Sequence, residues 1–386
     1  MEPLLRIAGH GALTLTFTGL TEIQASALRH MMEFPNDGAD QESAPSCCLE
    51  ADSGTDNAPI LTGTPAQLRQ RAALLSRIPA LPVDLPQKIQ SALDNYLRSD
   101  YKITSRGTCL DLGCRTHIMG ILNVTPDSFS DGGHYADRAR ALSHARDMAA
   151  AGADIIDIGG ESTRPGAEPL PEEEELRRII PLIERLSAEL TVPISVDTYK
   201  SSVAKKALEA GASIVNDISG LRFSPDMAQV VAEYGAALVV MHIKGTPRDM
   251  QQNPVYADVV AEIRTFLEES IELAVRAGVD REKILVDPGI GFGKTLEHNL
   301  TVLNRLDEFR VLGRPIVLGA SRKRFIGTIL GMPVPEERVE GTAATVALGI
   351  ERGASVVRVH DVAVMARVAR MSDAVVRNKY QIPSTK

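Results

Sequence analysis

The chain has little that would commit it to a membrane, a metal cluster or a nucleic acid. Its 386 residues include only 4 cysteines. Cys47 and Cys48 are adjacent, and Cys109 and Cys114 lack the C-x-x-C spacing of a zinc site, so no such cluster is expected. Cys109 and Cys114 are near enough in sequence to face each other across a short hairpin; otherwise they read as reduced cytosolic thiols. No apolar run approaches the ~18 residues that span a bilayer. The opening MEPLLRIAGHGALTLTF lacks a basic stretch followed by an unbroken apolar run, so no signal peptide is expected and the protein is placed in the cytoplasm. Positive charge is also in deficit, with a net −8 at pH 7, which argues against nucleic-acid or anionic-membrane partners. Local clusters such as Arg322-Lys323-Arg324 can still bind a small anion.

What is present is an ordinary globular composition, 44% hydrophobic and 24% charged. The length suits two or three average domains, or one barrel of about 250 residues with an accessory region. Residues 1 to about 100 differ from the rest. ALTLTFTG alternates like a strand, and TEIQASALRHMMEF reads as a helix after a Thr cap. The following stretch, about residues 35–58, is rich in acidic, small and turn residues and reads as a flexible linker. TPAQLRQRAALLSRI and LPQKIQSALDNYLRS read as two more helices. This predicts an accessory α/β or mostly helical region without a chemical motif. It is expected either to pack on the rest of the chain or to dimerise.

From residue 108 to about 380 the chain turns regular. HIMGILN, DIIDIG, PISVD, SIVND, ALVVMH, ILVD, PIVLGA and SVVRVH are short apolar runs separated by amphipathic helical stretches. Several helices end in Ala-Gly or Arg-Gly, as C-caps do. Continuously apolar strands separated by helices mean a parallel sheet, and about eight βα units predict a (β/α)8 TIM barrel. TCLDLGCRT, ahead of the first unit, is expected to be a hairpin closing the barrel bottom.

The strand ends carry the functional signal. They are Asn123, then Gly159-Gly160-Glu161-Ser162-Thr163-Arg164, Asp197, Asn216-Asp217, His242, Asp287, Ser321, and Arg358-Val359-His360. In a TIM barrel these ends converge on the face where active sites are built. An Asp or Ser taken singly can serve as a helix cap. His242, Arg358 and His360 do not fit that role, so the pattern points to a pocket.

One segment invites a different reading. DPGIGFGKT (287–295) resembles a nucleotide phosphate-binding loop, but G-x-x-x-x-G-K-[ST] requires glycine at 288, where Pro288 stands. The dinucleotide pattern G-x-G-x-x-G requires glycine at Lys294. Both fail by spacing. Asp287 is instead expected to point into the pocket, with glycines letting the backbone and Phe292 approach a flat ligand.

Together, IMGILNVTPDSFSDGG, GGESTRPGA, ISVDTYK, IVNDISG, MHIKGTPRDMQ, DPGIGFGKT, GASRKRFIG and VVRVHDV resemble dihydropteroate synthase, in the family's order, over roughly residues 108–378. Ile243 stands where that family commonly has Met, and the first 100 residues lie outside its usual domain. The resemblance implies condensation of 6-hydroxymethyl-7,8-dihydropterin diphosphate with p-aminobenzoate by dissociative loss of diphosphate. It implies pterin acceptors at Asp197, Asn216 and Asp287, a donor at Lys323, stacking by Arg358, and a wall at Met241. Diphosphate falls to Arg164, Arg358 and His360, with Mg2+ held by Asn123. Asp131 is implied to stabilise the pterinylmethyl cation, with Lys323 and Arg358 also catalytic. Phe129, Thr163, Pro165 and Phe292 shape the p-aminobenzoate slot. Ser321 is read as the N-terminus of a helix that attracts the p-aminobenzoate carboxylate. Homodimers through the later helices are also implied, and GTAATVALGIERGA suits close helix packing.

Two other readings compete with this one. A pterin-binding methyltransferase acting on methyltetrahydrofolate and a corrinoid protein would share the pterin positions, yet it expels no diphosphate and has no need of STRPG or SRKRFIG. A non-catalytic pterin-binding protein predicts damage to the phosphate and loop motifs, which are intact.

Overall fold

Leu13, Leu15 and Phe17 alternate with threonines, and the structure buries the apolar set while Thr14 and Thr16 stay half-exposed. That is the period of a strand with one covered face. The computed structural model describes residues 4–8, 13–18, 20–32, 48–51, 59–105, 107–124, 133–164 and 166–377. The chain divides into two compact units, Met1–Arg98 with Asp307–Gly313, and Ser99–Leu306 with Arg314–Lys386.

In the first unit, β1 (Leu4–Ala8), β2 (Leu13–Thr18), β3 (Cys48–Ala51) and β4 (Pro59–Gly63) form an antiparallel sheet ordered β1-β2-β4-β3. Within the stretch read as a linker, Cys48–Ala51 is therefore a strand, pairing Leu49 with Leu61 and Glu50 with Ile60. Its ladder partner, not its own composition, makes it extended. The sheet shares its core with α1 (Glu22–Met32), α2 (Pro65–Leu75) and α3 (Leu85–Leu97), through Leu15, Phe17, Leu28, Leu61, Leu68, Ile89 and Tyr96. Thr64 starts α2 with a capping box, its hydroxyl accepting from Gln67 N at 3.3 Å while Gln67 Oε1 accepts from Thr64 N at 2.8 Å. The unit takes in Asp307–Gly313 because α3 holds it: Tyr96 OH donates to Asp307 Oδ2 at 2.8 Å, and Asn95 Nδ2 donates to Val311 O at 2.9 Å.

The second unit begins with an antiparallel hairpin, β5 (Lys102–Ser105) and β6 (Thr108–Asp111). Only its second strand lies in the stretch read as a hairpin, and Cys109 pairs with Thr104, so it does not face Cys114. Cys114 Sγ donates to Asp111 O, and both thiols are free and exposed.

Eight parallel strands follow: β7 (His117–Asn123), β8 (Ile155–Gly159), β9 (Ile194–Asp197), β10 (Ile214–Asp217), β11 (Ala237–Met241), β12 (Ile284–Asp287), β13 (Ile316–Leu318) and β14 (Ala354–Val359). They close into a barrel, β14 pairing with β7, so the TIM barrel expected from the sequence is present. The helices between them are α4 (Gly133–Ala150), α5 (Glu172–Glu189), α6 (Ser201–Ala210), α7 (Met227–Glu233), α8 (Val259–Arg276), α9 (Leu296–Asn304), α10 (Arg324–Leu330) and α11 (Val339–Glu351), with α12 (Val362–Val376) last. Charge complements the helix dipole where it is strongest: α5 opens on Glu172, Glu173, Glu174 and Glu175.

One layer of the barrel interior is Met119, Ile155, Ile214, Val239, Leu285, Val317 and Val356, with Ile103 and Leu112 of the hairpin region in the same cluster. Side chains alternate between the two faces of a strand, so residues two positions on share the interior. Two positions on stand Ile121, Asp157, Asn216, Met241, Asp287, Gly319 and Arg358. The fold thus stacks a polar layer directly on an apolar one. No described helix is long and apolar enough to cross a membrane.

Candidate active site

The polar layer is held together by ion pairs. Arg358, on β14, donates Nε to Asp157 Oδ2 at 2.6 Å and Nη2 to Asp197 Oδ2 at 2.5 Å. Asn216 Nδ2 donates to the same Asp157 oxygen at 3.1 Å. The second oxygens, Asp157 Oδ1 and Asp197 Oδ1, are buried and have no hydrogen-bond partner among the described residues. A buried carboxylate oxygen left unpaired is costly, and it is satisfied by a ligand that presents N–H groups.

Asp287 closes β12 beside them. Its Oδ1 accepts from Gly289 N at 2.7 Å. Gly319 leaves room there: a Cβ on it would sit 3.6 Å from Asp287 Oδ2 and 4.0 Å from Arg358 Cβ. Lys323 reaches in from the other side, donating to Ile290 O with its ammonium 4.6 Å from the centre of the Phe292 ring. Its charge interacts with Asp287, Arg358 and Asp197, so these groups share one hollow.

Burial sets the titration of the group. It pushes Asp197 up to about 7, with Arg358 opposing the rise and Asp157 adding to it. Burial likewise raises Asp287, against Lys323. It lowers Lys323 to about 8, with Asp287 resisting. Burial also disfavours the Arg358 charge, but Asp157 and Asp197 outweigh it and hold the guanidinium above its usual value.

The segment that resembles a phosphate loop is folded around its own lysine. Buried Lys294 donates to Gly289 O at 2.9 Å and Phe292 O at 3.0 Å, with His242 Nδ1 at 2.9 Å as its third neighbour. Burial drives both Lys294 and His242 well below their usual values, and each charge would further disfavour the other. His242, expected at the pocket, instead braces this segment, edge-on to Phe266 with ring centroids 4.9 Å apart. The glycines serve protein contacts before ligand contacts. Gly289 has φ +69°, and a Cβ on it would lie 1.9 Å from His242 O, a distance no side chain tolerates.

At the end of β14, His360 N donates to Ser321 Oγ at 3.2 Å, and Ser321 Oγ lies 3.0 Å from His360 Nδ1. Burial, helped by Arg358 and Arg322, lowers His360 to about 3, so the ring is neutral. The Arg164 charge acts on His360 in the same sense, more weakly than Arg358 and Arg322. Ser321 is not the N-terminus of a helix. α10 begins at Arg324 with Lys323 at the cap position, because Arg322 adopts a left-handed φ of 57° and turns the chain first. Arg322 is locked there by Asp361, Nε to Oδ2 at 2.9 Å and Nη2 to Oδ1 at 2.6 Å.

The structure therefore brings Asp197, Asn216, Asp287, Lys323 and Arg358 together, with Met241 buried beneath Gly289. Asn123 and Thr163 are half-buried, Arg164 is exposed, and Phe129, Asp131 and Pro165 lie outside the described residues. Sequence reasoning missed Asp157, although a lone carboxylate inside the buried strand IIDIG was a signal. Asp217, beside Asn216, is consumed by its own turn, accepting from Ser219 N and Leu221 N at 2.8 Å each.

Comparison with known proteins identifies the family. A family described as pterin binding enzyme matches residues 119–360. The chain is 54% identical over 272 residues to a dihydropteroate synthase of Bacillus subtilis, covering 70% of this chain and 93% of that one. Among solved structures it is similar to dihydropteroate synthase of Xanthomonas albilineans with 4-aminobenzoic acid, at 46% identity and TM-score 0.68 over 72% of this chain and 98% of that one. The same organism's enzyme in complex with 7,8-dihydropteroate superposes with TM-score 0.65 at 43% identity, over 71% and 98% of the two chains.

Proposed function

The chain belongs to the pterin-binding enzymes as a dihydropteroate synthase, and on that premise we propose how its residues perform the condensation. The observation that carries the reading is the pair of orphaned oxygens on Asp157 and Asp197. The guanidine-like edge of a pterin offers the N–H groups they lack, with Asn216 and Asp287 completing the acceptor set. A site built on buried polar partners rejects analogues lacking them by up to about 10⁴-fold or more. Lys323 donates to the carbonyl side of the ring. With Nε and Nη2 of Arg358 committed to carboxylates, its planar face stacks on the ring and Nη1 is the edge left for a phosphate oxygen.

Diphosphate leaves when the bond from the pterin methylene carbon to oxygen breaks, taking the electron pair. Arg164, Arg358 and His360 meet the charge that accumulates on its oxygens. Among the described residues no three His, Cys, Asp or Glu side chains form a metal cage. Asn123, at the end of β7, is the residue that would hold Mg2+, and the ion would supply positive charge to the leaving diphosphate. The cation left on the methylene carbon is delocalised into the pterin, and the family resemblance assigns its stabilisation to Asp131. The p-aminobenzoate nitrogen then bonds to that carbon and loses a proton. The family resemblance assigns the amine's slot to Thr163, Phe129, Pro165 and Phe292, and its carboxylate to the Ser321 hydroxyl.

The later helices carry exposed apolar residues, among them Leu348, Met371 and Val375, which supports a homodimer. Light scattering of the purified chain gives its mass. The reaction is tested by incubating the protein with the pterin diphosphate, p-aminobenzoate and Mg2+. Dihydropteroate is expected, and it should vanish with Asp197→Ala; no product from the unaltered chain rejects the reading.

A further inference from the structure

We propose that Lys200 is a positioning residue that fastens both ends of the loop 161–170, the segment carrying Thr163 and Arg164. Three acceptors surround its Nζ: Glu161 Oε2 at 2.5 Å, Leu170 O at 2.6 Å and Glu175 Oε2 at 2.6 Å. An ammonium has three protons, so one side chain satisfies itself on the first residue of the loop, the last residue of the loop, and the helix that follows. The cluster is shielded from water: the side chains of Lys200, Glu161 and Glu175 are 17%, 8% and 1% exposed. A surface ion pair of the same geometry would contribute little, whereas here removal of the cation strands two carboxylates in low dielectric.

The neighbours reinforce the same two points. Tyr199 OH donates to the other oxygen of Glu161 at 2.7 Å, and Arg178 Nη1 donates to Gly160 O at 3.0 Å. Among the described residues the middle of the loop is held by two backbone bonds, Ala167 N to Arg164 O at 3.0 Å and Gly166 N to Pro247 O at 3.1 Å, and by one exposed ion pair, Arg248 with Glu168 at 3.8 Å, which contributes little. Thr163 and Arg164 therefore take their position from fastened ends. Lys200 also lies three residues beyond Asp197 on the segment leaving β9, and Thr198 N donates to Asn216 O at 3.1 Å. The backbone that presents the pterin carboxylate is thus the backbone that anchors the amine loop. This inference rests on the assignment of Thr163 and Arg164 to p-aminobenzoate and diphosphate.

The test uses the full chain with Lys200→Met. KM for p-aminobenzoate should rise about tenfold or more, since small displacements of positioning groups cost this much. The Kd of 6-hydroxymethylpterin should stay within about twofold, because no pterin-facing side chain touches Lys200. The chain has no tryptophan, so Glu168→Trp places a single emitter on the loop. Its fluorescence anisotropy should fall when Lys200→Met is added. A lower melting temperature with unchanged KM and anisotropy would show a merely structural ion pair and overturn the proposal. If Lys200→Met does not fold, Glu161→Gln loosens one end only, and an unchanged KM in that variant rejects the proposal equally. Failure of the synthase reading is distinguishable: the unaltered chain would make no dihydropteroate, while the anisotropy change still reports the fastening.

Discussion

Asp157 holds Arg358 in place from inside the barrel, its Oδ2 accepting from Nε at 2.6 Å while Oδ1 stays unpaired. The residue thus both orients the guanidinium and offers an acceptor. Asp157→Asn keeps the shape and removes the charge. Loss of a charge-assisted hydrogen bond of this kind is expected to weaken pterin binding by about 1.5–3 kcal/mol, roughly 10- to 100-fold. Calorimetric titration with a pterin reads this, and unchanged affinity would confine Asp157 to a structural part.

Lys294 makes the complementary case. Lys294→Met removes the donor for Gly289 O and Phe292 O and the partner of His242 Nδ1, the first and last of them buried. Unsatisfied buried acceptors cost about 1–3 kcal/mol, so the midpoint of urea unfolding should drop accordingly. Because Gly289 positions Asp287 through its N–H, synthase activity should fall as well. A variant as stable and active as the parent would show that the segment holds its shape without the lysine.

Stability should depend on pH through Asp197. Its folded value, raised to about 7 from 3.8 by burial, means that the folded chain holds the proton more tightly than the unfolded one. This contribution is fully present below 3.8 and is lost as pH rises through about 7. Asp287 and Glu175, both raised by burial, act in the same sense. The melting temperature of the ligand-free protein should fall across that window, and Asp197→Asn should flatten the decline. Equal slopes in parent and variant would exclude Asp197 as the source.

In the first unit, Tyr96→Phe deletes the bond to Asp307 and leaves the ring in place, 4.6 Å from the Arg310 guanidinium. A buried bond to a charged acceptor is worth about 1.5–3 kcal/mol, so a loss of that size in equilibrium unfolding is expected. No loss would mean that Asp307 finds a replacement donor.

The barrel and its rim were legible because they obey strict periods. ILVD and HIMGILN coincide with β12 and β7, and a polar residue two places beyond an interior apolar one, as Asp287 beyond Leu285, had to face the same hollow. Other features depend on partners distant in sequence. Nothing within CCLEA announces a strand; Ile60 and Leu61 across the sheet create it. His242 is a strand-end histidine like His360, and only the approach of Lys294 from 52 residues away decides that it braces a loop. Ser321 was misplaced for a local reason: the left-handed turn at Arg322 delays the start of α10, and an arginine gives no warning of positive φ.

The first unit borrows Asp307–Gly313 from far along the chain, and this governs the order of assembly during synthesis. Val311, packed on the core of residues 1–98, emerges from the ribosome roughly two hundred residues later, about 10–40 s at typical elongation rates. Until then the amino-terminal half-core has an open flank where that segment will sit. Nascent chains stalled before residue 307 should therefore be far more sensitive to protease in residues 59–98 than chains stalled after residue 313. The portion made first is completed among the last.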